Sequence, residues 1–430
     1  VLDREAIKAM AGKPYAQVAK EVLSPFIAGE IAKDDFDKMV DDAYASFNHP
    51  AVAPLIQLDT NHWLLELFHG PTLAFKDVAM QLLARLMDHV LEERRQRATI
   101  VGATSGDTGG AAIEAFRGRS NTDIFILFPK GKVSPVQQRQ MTTVADANVY
   151  CLAIEGDFDN CQALVKDMFN HLEFRDRLQL SGVNSINWAR IMAQIVYYFT
   201  AATNVGAPER PVSFTVPTGN FGDIFAGYVA KRMGLPIDQL VIATNRNDIL
   251  TRTLATSRYE TAETQPTISP SMDIQVSSNF ERLLFDAGER DAETVRNQME
   301  GLKQSGSFTI SEATMARILA EFSAIACDEE TTHQQIRETL TQSEYLADPH
   351  TAVGLHVAEK LQSASPMITL ATAHPAKFPA AVKAASGIDP QLPPRVGDIM
   401  TKEERFAILP NEISAVEAFI EERSRAVEIG

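Results

Sequence analysis

One lysine of this sequence lies in a setting that would favour reaction as a free amine. Lys76 follows the turn-rich segment 68–75, in which Gly70-Pro71 interrupts the preceding run, and an apolar helical pattern starts at Asp77. The positive end of the helix dipole and the apolar neighbours both disfavour an ammonium group. A Schiff-base lysine must react as a neutral amine, so this chemistry is one interpretation. The alternative is an ordinary surface lysine whose stem covers apolar neighbours.

A loop of small polar residues and glycines follows a strand predicted at 98–103. Its residues 104–110 are Thr-Ser-Gly-Asp-Thr-Gly-Gly, and a helical pattern comes after them. Glycines let backbone amides approach an anion, a helix N-terminus favours negative charge, and Thr104, Ser105 and Thr108 carry additional hydroxyl donors. The spacing matches neither a dinucleotide-binding fingerprint nor a Walker loop. The loop is a candidate anion site, and a plain turn capped by Ser105 or Asp107 is the alternative.

A second glycine loop follows the strand predicted at 212–216 and again leads into a helix. Gly219 and Gly222 flank Asn220 and Phe221. This arrangement allows several consecutive amides to point at one oxyanion. Because the order of strand, glycine loop and helix is repeated, we favour a phosphate site over a glycine-rich turn without a ligand.

An arginine is expected inside an otherwise apolar helix. Arg190 lies about one turn after the polar residues Asn184, Ser185 and Asn187. An arginine in such a place costs desolvation unless it binds an anion or pairs with a carboxylate. The residues alone leave both possibilities open.

The elements that carry these residues alternate between short apolar strands and helices. This alternation predicts parallel sheets covered by helices. A further strand, predicted at 366–371, runs into Thr372. Open α/β sheets bind ligands at the carboxyl ends of their strands, so we expect the loops described above to lie at such ends.

Several of these motifs resemble segments of one enzyme family. The segment His69–Asp77 resembles the pyridoxal phosphate lysine segment of the threonine synthases, and Asn-Ser-x-Asn-x-x-Arg at 184–190 is similar to their substrate-phosphate element. Residues 269–274, 277–280 and 348–352 are similar to the longer microbial and fungal branch of that family. No role is assigned to them; His350 could be a ligand, but a lone histidine is more often structural. The resemblance runs from about residue 5 to the end, and the N-terminal segment of the family is expected to be absent.

The resemblance implies both a fold and a division into domains. The fold class is α/β, a fold type II pyridoxal phosphate enzyme of the tryptophan synthase β-like kind, with two open twisted sheet domains and an N-terminal helical segment. The expected parts are a helical segment at 1–55, a small α/β domain at 93–171, and a large cofactor-binding domain at 56–92 and 172–430. A mainly helical insertion is expected within the large domain at about 246–346.

The resemblance also implies residue roles. Lys76 would be the catalytic residue and would hold pyridoxal 5'-phosphate. The cofactor phosphate would be bound by Gly219, Asn220, Phe221 and Gly222. Thr372 would face the pyridine nitrogen, which a hydroxyl cannot hold protonated, so the cofactor would be a milder electron sink. The substrate phosphate would be held by Arg190, Asn184, Ser185, Asn187 and Thr108, and the substrate carboxylate by Thr104 and Ser105. A contact from Asp107 is left open, because its carboxylate would repel that of the substrate.

The implied reaction is the conversion of O-phospho-L-homoserine and water into L-threonine and phosphate. One alternative is another fold type II phospho-lyase or a serine or threonine dehydratase, although plain dehydratases need no second phosphate site. A catalytically silent phosphate-binding homologue is the non-enzyme alternative, and the presence of Lys76 argues against it.

Composition excludes some partner classes. The net charge of −16 argues against nucleic acid, since a phosphate backbone needs a basic surface. No apolar run is long enough to span a membrane, and no metal-binding spacing such as HExxH occurs. Three cysteines without a CxxC motif favour a reduced, cytoplasmic compartment. We therefore expect a small-molecule enzyme without a metal, either a monomer or a homodimer.

Overall fold

The computed structural model describes residues 1–27, 29–361 and 363–428. The strands are β1 (Leu55–Gln57), β2 (His62–Glu66), β3 (Ala98–Ala103), β4 (Thr122–Pro129), β5 (Val149–Glu155), β6 (Leu180–Gly182), β7 (Val212–Pro217), β8 (Ile237–Thr244), β9 (Arg258–Glu260), β10 (Ser307–Thr309), β11 (Phe322–Ala326), β12 (Met367–Ala371) and β13 (Ala407–Pro410). The α-helices are α1 (Arg4–Lys8), α2 (Tyr15–Ile27), α3 (Lys33–Tyr44), α4 (Lys76–Arg94), α5 (Asp107–Phe116), α6 (Pro135–Thr142), α7 (Phe158–Asn170), α8 (Leu172–Arg177), α9 (Trp188–Asn204), α10 (Gly222–Arg232), α11 (Ile249–Thr256), α12 (Phe280–Ala287), α13 (Ala292–Ser305), α14 (Glu312–Leu319), α15 (Glu329–Ser343), α16 (Pro349–Leu361), α17 (Pro379–Ser386) and α18 (Ile413–Arg423). Short 3₁₀ segments are found at Pro270–Met272, Pro375–Lys377, Pro394–Met400 and Arg425–Glu428.

The chain divides into two compact units. Unit 1 comprises Val1–Glu30, His49–His69 and Trp188–Pro390, and unit 2 comprises Ile31–Asn48, Gly70–Asn187 and Gln391–Gly430. These boundaries differ from the expected ones, because the lysine helix and the C-terminal segment belong to unit 2 and the N-terminal helices are shared between the units. The sequence did not predict these boundaries because chain order does not reveal which sheet a helix packs on.

Unit 1 is built on a six-stranded sheet in the order β1-β2-β12-β7-β8-β11. Its strands are parallel except for β1, which pairs antiparallel with β2 at the edge. The central strand β7 is buried along its whole length, including its polar residues Ser213 and Thr215, as expected of an inner strand in a parallel sheet covered on both faces. The expected insertion at 246–346 is mainly helical, but it also contains the small antiparallel β9–β10 pair and supplies β11 to the main sheet.

Unit 2 is built on a five-stranded sheet in the order β13-β5-β4-β3-β6, and its paired strands all run parallel. Strands β3 and β4 lie inside it and are almost fully buried. Apolar residues of β3, β4 and β5 pack with α7 and with α18, and this cluster forms a core. The C-terminal strand β13 closes one edge of the sheet by pairing with β5.

The topology positions the predicted loops as expected. The strands predicted at 98–103 and 212–216 are confirmed as β3 and β7, and each runs through its glycine loop into a helix, α5 or α10. In unit 1, β12 pairs with β7 in parallel, with Thr369 opposite Thr215. Thr372 and the second glycine loop therefore follow neighbouring strands at the same edge of one sheet. Within the described ranges, no helix is both long and apolar enough to cross a membrane.

Candidate active site

Lys76 is the first residue of helix α4, as the sequence predicted. Its side chain is buried, with 8 % of the residue exposed, and its Nζ lies 4.7 Å from the centroid of the Phe75 ring. The amine thus combines a helix N-terminus with an aromatic neighbour. These surroundings contradict the alternative of an ordinary surface lysine.

A carboxylate that sequence reasoning left unassigned faces this amine within unit 2. The Oδ2 atom of Asp107, at the start of α5, lies 3.4 Å from Lys76 Nζ. The other carboxylate oxygen accepts a hydrogen bond from Gln137 Nε2 at 2.9 Å. Burial of the Lys76 amine favours its neutral form. Asp107 acts in the opposite direction, because a nearby anion favours the ammonium form. The sequence separation of 31 positions between Lys76 and Asp107 hides this contact from any local pattern.

The turn that precedes Lys76 is held by the next residue in the chain. The fully buried carboxylate of Asp77 accepts hydrogen bonds from Thr72 N and Thr72 Oγ1, both at 2.7 Å. Gln140 donates to the Thr72 carbonyl at 2.9 Å, and Arg395 donates to the Gly70 carbonyl at 2.7 Å. Sequence reasoning missed this role, although an acid in the first turn of a helix is a recognisable capping signal.

The first glycine loop is closed by its own threonine. Thr104 is buried, and its hydroxyl oxygen accepts the backbone N–H groups of Gly106 and Gly109, each at 2.9 Å. Gly106 has φ +144°, which favours glycine, and a Cβ there would lie 2.5 Å from Gln137. Ser105 is exposed and Thr108 is half-buried, so both hydroxyls are more accessible than that of Thr104.

The second glycine loop lies at the N-terminus of α10 in unit 1. Its left-handed residue is Phe221, with φ +64°, rather than one of the two glycines, and no side chain caps the helix. The Phe221 ring is buried against Phe280 and Phe322, at centroid distances of 5.3 and 5.6 Å. Glycine is required at position 219 for a different reason. The backbone there passes so close to the neighbouring segment that a Cβ would lie 2.8 Å from the Ser271 carbonyl oxygen. The loop thus presents uncapped backbone amides at the positive end of a helix.

The Asn184–Arg190 element divides between the two units. In unit 2, Asn184 is exposed and its side-chain oxygen accepts the N–H of Ile186 at 3.1 Å, while Ser185 and Asn187 are half-buried. In unit 1, Arg190 lies in the first turn of α9 and is 4 % exposed. Burial lowers the pKa of its guanidinium to about 10, against an opposing effect of Tyr197, so it remains charged at neutral pH.

Acidic and phenolic groups surround the start of α10. The Asp223 carboxylate accepts hydrogen bonds from the hydroxyls of Tyr197 and Tyr198, both on α9. Burial, reinforced by this carboxylate, raises the pKa of both tyrosines well above the ordinary value. Both are therefore neutral hydrogen-bond donors in the working pH range.

The sequence matches three family models. A model described as pyridoxal-phosphate dependent enzyme covers residues 48–299, threonine synthase N terminus covers 1–44, and threonine synthase, C-terminal covers 351–420. A curated threonine synthase of Pseudomonas aeruginosa is 52% identical over 97% of this chain and 89% of its own length. The chain belongs to the threonine synthase family. Residues 1–44 thus match the N-terminal segment of the family, which was expected to be absent.

Solved structures agree with this membership and with the expected fold class. A pyridoxal phosphate-bound threonine synthase from Brucella melitensis is 64% identical, with a TM-score of 0.97 over 99% of this chain and 92% of the other. The threonine synthase from yeast is 38% identical, with a TM-score of 0.93 over 98% of this chain and 91% of the other. Maize serine racemase, at 13% identity and a TM-score of 0.54, shows the fold alone. As in other threonine synthases, the fold is that of type II pyridoxal phosphate enzymes.

The residues present fit the cofactor of this family. An aldehyde requires an amine, and Lys76 is a buried one at a helix start. A phosphate requires donors, and the uncapped N-terminus of α10 offers backbone amides beside the small residues Gly219 and Gly222. Thr372 is buried directly after β12, and its hydroxyl is a group that can form a hydrogen bond with a pyridine nitrogen. Among the described residues, no cluster of three or more His, Cys, Asp or Glu side chains could hold a metal ion.

Proposed function

We propose that this enzyme converts O-phospho-L-homoserine and water into L-threonine and phosphate. The observation that carries the proposal is the buried amine of Lys76, at the start of α4 in the segment that resembles the cofactor lysine of the family. When bound, pyridoxal phosphate supplies an electron sink for the carbanions formed beside the substrate amine. The proposed substrate carries its leaving phosphate on Cγ, and water adds at Cβ.

Lys76 has two tasks in this proposal. It holds the cofactor between turnovers, and it moves protons at Cα and Cβ of the substrate once its amine is released. Asp107 lies close enough to influence the charge of that amine within unit 2. The hydrogen bonds from Thr72 to Asp77 hold the adjoining turn, so the lysine starts from a fixed backbone position.

The two phosphates are assigned to different kinds of donor. Gly219, Asn220, Phe221 and Gly222 bind the cofactor phosphate mainly through backbone amides, which suit a group that stays bound. Arg190, Asn184, Ser185, Asn187 and Thr108 bind the exchanging substrate phosphate through side chains and a full positive charge. Thr104 and Ser105 offer hydroxyl donors to the substrate carboxylate, and Thr372 faces the pyridine nitrogen.

We also propose a cytoplasmic enzyme that is a monomer or a homodimer and binds neither nucleic acid nor membranes. Cys151, Cys161 and Cys327 are free thiols in buried positions, in keeping with a reducing compartment. Burial raises the pKa of the Cys151 thiol to about 12, which keeps it in the unreactive protonated form. Analytical ultracentrifugation of the purified enzyme decides between the two oligomeric states.

Product analysis after incubation with O-phospho-L-homoserine tests the function. We expect equimolar L-threonine and phosphate, whereas a keto acid would indicate a lyase of another specificity and no turnover would indicate a silent homologue.

Lys76→Ala tests the catalytic assignment. Turnover should be abolished, and borohydride should no longer fix the cofactor to the protein, because the reacting amine is gone. The control is Lys130→Ala, which removes an exposed lysine of unit 2 and should change neither property. Persistent activity together with a reducible cofactor adduct in Lys76→Ala would contradict the assignment.

A further inference from the structure

A buried histidine and aspartate stand behind the second glycine loop in unit 1. His350, on α16, is 3 % exposed, and its Nδ1 lies 2.9 Å from Asp348 Oδ1. The Asp348 carboxylate also accepts the backbone N–H groups of His350 and Thr351 and the Thr351 hydroxyl. These donors keep Asp348 an acceptor, so His350 donates through Nδ1–H, and its Nε2 is left as an acceptor.

The accepting nitrogen of His350 holds the backbone of a neighbouring turn. Ser271 N–H, in the 3₁₀ turn Pro270–Met272, donates to His350 Nε2 at 3.2 Å. The imidazole also packs against the ring of Phe378, with the centroids 4.8 Å apart. Both interactions restrict the position of the imidazole, so the turn is anchored to α16 through one defined nitrogen.

The same turn forms the wall behind the glycine loop. The Ser271 carbonyl oxygen lies 2.8 Å from the place where a Cβ of Gly219 would be. Further along the segment, Ser277 Oγ donates to the Gly219 carbonyl at 2.6 Å, and both the backbone N and the side-chain Nδ2 of Asn279 donate to the Asn220 carbonyl at 3.0 Å. The carbonyls of the loop are thus held by segment 271–279. Because these hydrogen bonds fix the carbonyls of Gly219 and Asn220, they also restrict the orientation of the peptide groups of the loop.

We propose that His350 is a positioning residue for the cofactor-phosphate loop, acting through the Ser271 amide and Gly219. This role rests on the proposed function, because it requires that Gly219–Gly222 bind the phosphate of pyridoxal phosphate. The proposal assigns a role to segments 269–274 and 348–352, which are similar to the family but had no role from the sequence. His350 touches neither cofactor nor substrate in this proposal.

The test compares two forms of the cofactor. Pyridoxal phosphate and pyridoxal carry the same aldehyde for Lys76, and only the first carries the phosphate. Changes between variants in the ratio of the two dissociation constants, measured by spectroscopic titration of the apoenzyme, report the contribution of the phosphate loop, because the internal hemiacetal of free pyridoxal weakens its binding equally in every variant. Because both ligands are titrated into the same preparation, the ratio does not depend on the fraction of protein that is active.

A pair of variants separates the two nitrogens of His350. The side-chain amide of His350→Asn reaches the Nδ1 position and keeps a donor for Asp348, but it cannot reach the Ser271 N–H. That of His350→Gln extends to the Nε2 position and can still accept this N–H. His62→Asn is the matched control, since His62 is also a buried histidine of unit 1, and its imidazole forms a hydrogen bond with Thr369 Oγ1 at 2.8 Å.

In His350→Asn the Ser271 N–H loses its acceptor, and this should loosen the loop. We therefore expect the dissociation constant of pyridoxal, divided by that of pyridoxal phosphate, to fall roughly three- to tenfold. His350→Gln should recover most of the wild-type ratio, and His62→Asn should retain it. Gly219→Val, which drives a side chain into the Ser271 carbonyl, should lower the ratio further.

The outcomes distinguish this inference from the proposed function. A wild-type ratio in His350→Asn, beside a lowered ratio in Gly219→Val, would overturn the role of His350 alone. Equal losses in the Asn and Gln variants would also overturn it, because the loss would not follow the Ser271 bond. A wild-type enzyme that binds both forms equally would overturn the assignment of the loop and this inference with it.

Discussion

At the scale of single residues, the two cations of the proposed chemistry have opposite environments. Lys76 faces a carboxylate within unit 2, whereas Arg190 in unit 1 is buried so deeply that its pKa is lowered to about 10. Each environment acts against the state that the proposed chemistry needs: the carboxylate favours the ammonium form of a lysine that must become neutral, and burial disfavours the charge of an arginine that must stay charged. Substitutions at Arg190 and Asp107 test the two cases separately.

Arg190→Ala should keep the cofactor and lose the substrate. A charge-assisted contact between a guanidinium and a phosphate is worth about 1.5–3 kcal/mol, so kcat/KM for O-phospho-L-homoserine should fall roughly tenfold to a hundredfold. Arg190→Lys should recover only part of this, because an ammonium cannot reproduce the planar fork. Steady-state phosphate release and a cofactor titration measure the two properties.

The control for Arg190 is Arg258→Ala, which removes an exposed arginine of the same unit and should leave kcat/KM unchanged. Loss of the cofactor in Arg190→Ala would assign the arginine to the other phosphate. An unchanged kcat/KM would show that its role is structural.

Asp107→Asn should make Lys76 a faster nucleophile toward the free cofactor. The carboxylate 3.4 Å from Nζ favours the ammonium form, and the amide removes that charge while keeping an acceptor for Gln137. The rate of pyridoxal phosphate capture by the apoenzyme at neutral pH should rise by roughly three- to thirtyfold. Stopped-flow absorbance measures this rate, and Glu155→Gln, an exposed acid-to-amide change in unit 2, is the control. Slower capture would mean that Asp107 assists the cofactor directly.

At the scale of elements, the start of helix α10 combines the proposed site for the cofactor phosphate with backbone strain. Phe221 adopts φ +64° directly before the helix, a conformation that costs a side chain about 1–2 kcal/mol. The packing of its ring between Phe280 and Phe322 offsets that strain. A strained residue in a proposed phosphate loop thus depends on aromatic residues that lie more than fifty positions away in sequence.

Substitution of Phe221 should therefore reverse the usual order of alanine and glycine. Phe221→Ala loses the ring and keeps the left-handed strain, whereas Phe221→Gly loses the ring and relieves the strain. Both variants should be less stable than wild type, but the free energy of unfolding of the glycine variant should be about 1 kcal/mol higher than that of the alanine variant. Urea unfolding of the apoenzyme measures the difference. Greater stability of the alanine variant would show that the loop relaxes out of this conformation.

At the scale of the whole molecule, the compact units are assembled from distant parts of the chain. Unit 2 takes its sheet edge β13 and its covering helix α18 from the C-terminal region, after unit 1 has been completed. Val416 and Ile420 of α18 are fully buried in the core formed with β3, β4 and α7. The C-terminal helix is thus an integral part of the unit that carries Lys76.

Ile420→Ala should therefore destabilise the protein although it lies far from Lys76 in sequence. A buried isoleucine replaced by alanine costs about 2–5 kcal/mol in lost burial and cavity formation, and the urea midpoint should fall accordingly. Leu172→Ala, at a leucine of the same unit that is 58 % exposed, is the matched control and should change stability by no more than about 0.5 kcal/mol. Equal midpoints for the two variants would contradict the role of α18 in the core.

The sequence by itself determined the local units and, through its motifs, the family. The strands β3 and β7, the glycine loops that follow them and the start of α4 at Lys76 could be predicted, because apolar periodicity and glycine positions act over a few residues. The pairing of Lys76 with Asp107, the hydrogen bond from Ser271 to His350, and the inclusion of β13 in the sheet of unit 2 were decided only by the tertiary structure. These contacts join residues that are tens to hundreds of positions apart, and no local pattern encodes which of the possible partners the packed sheets bring together.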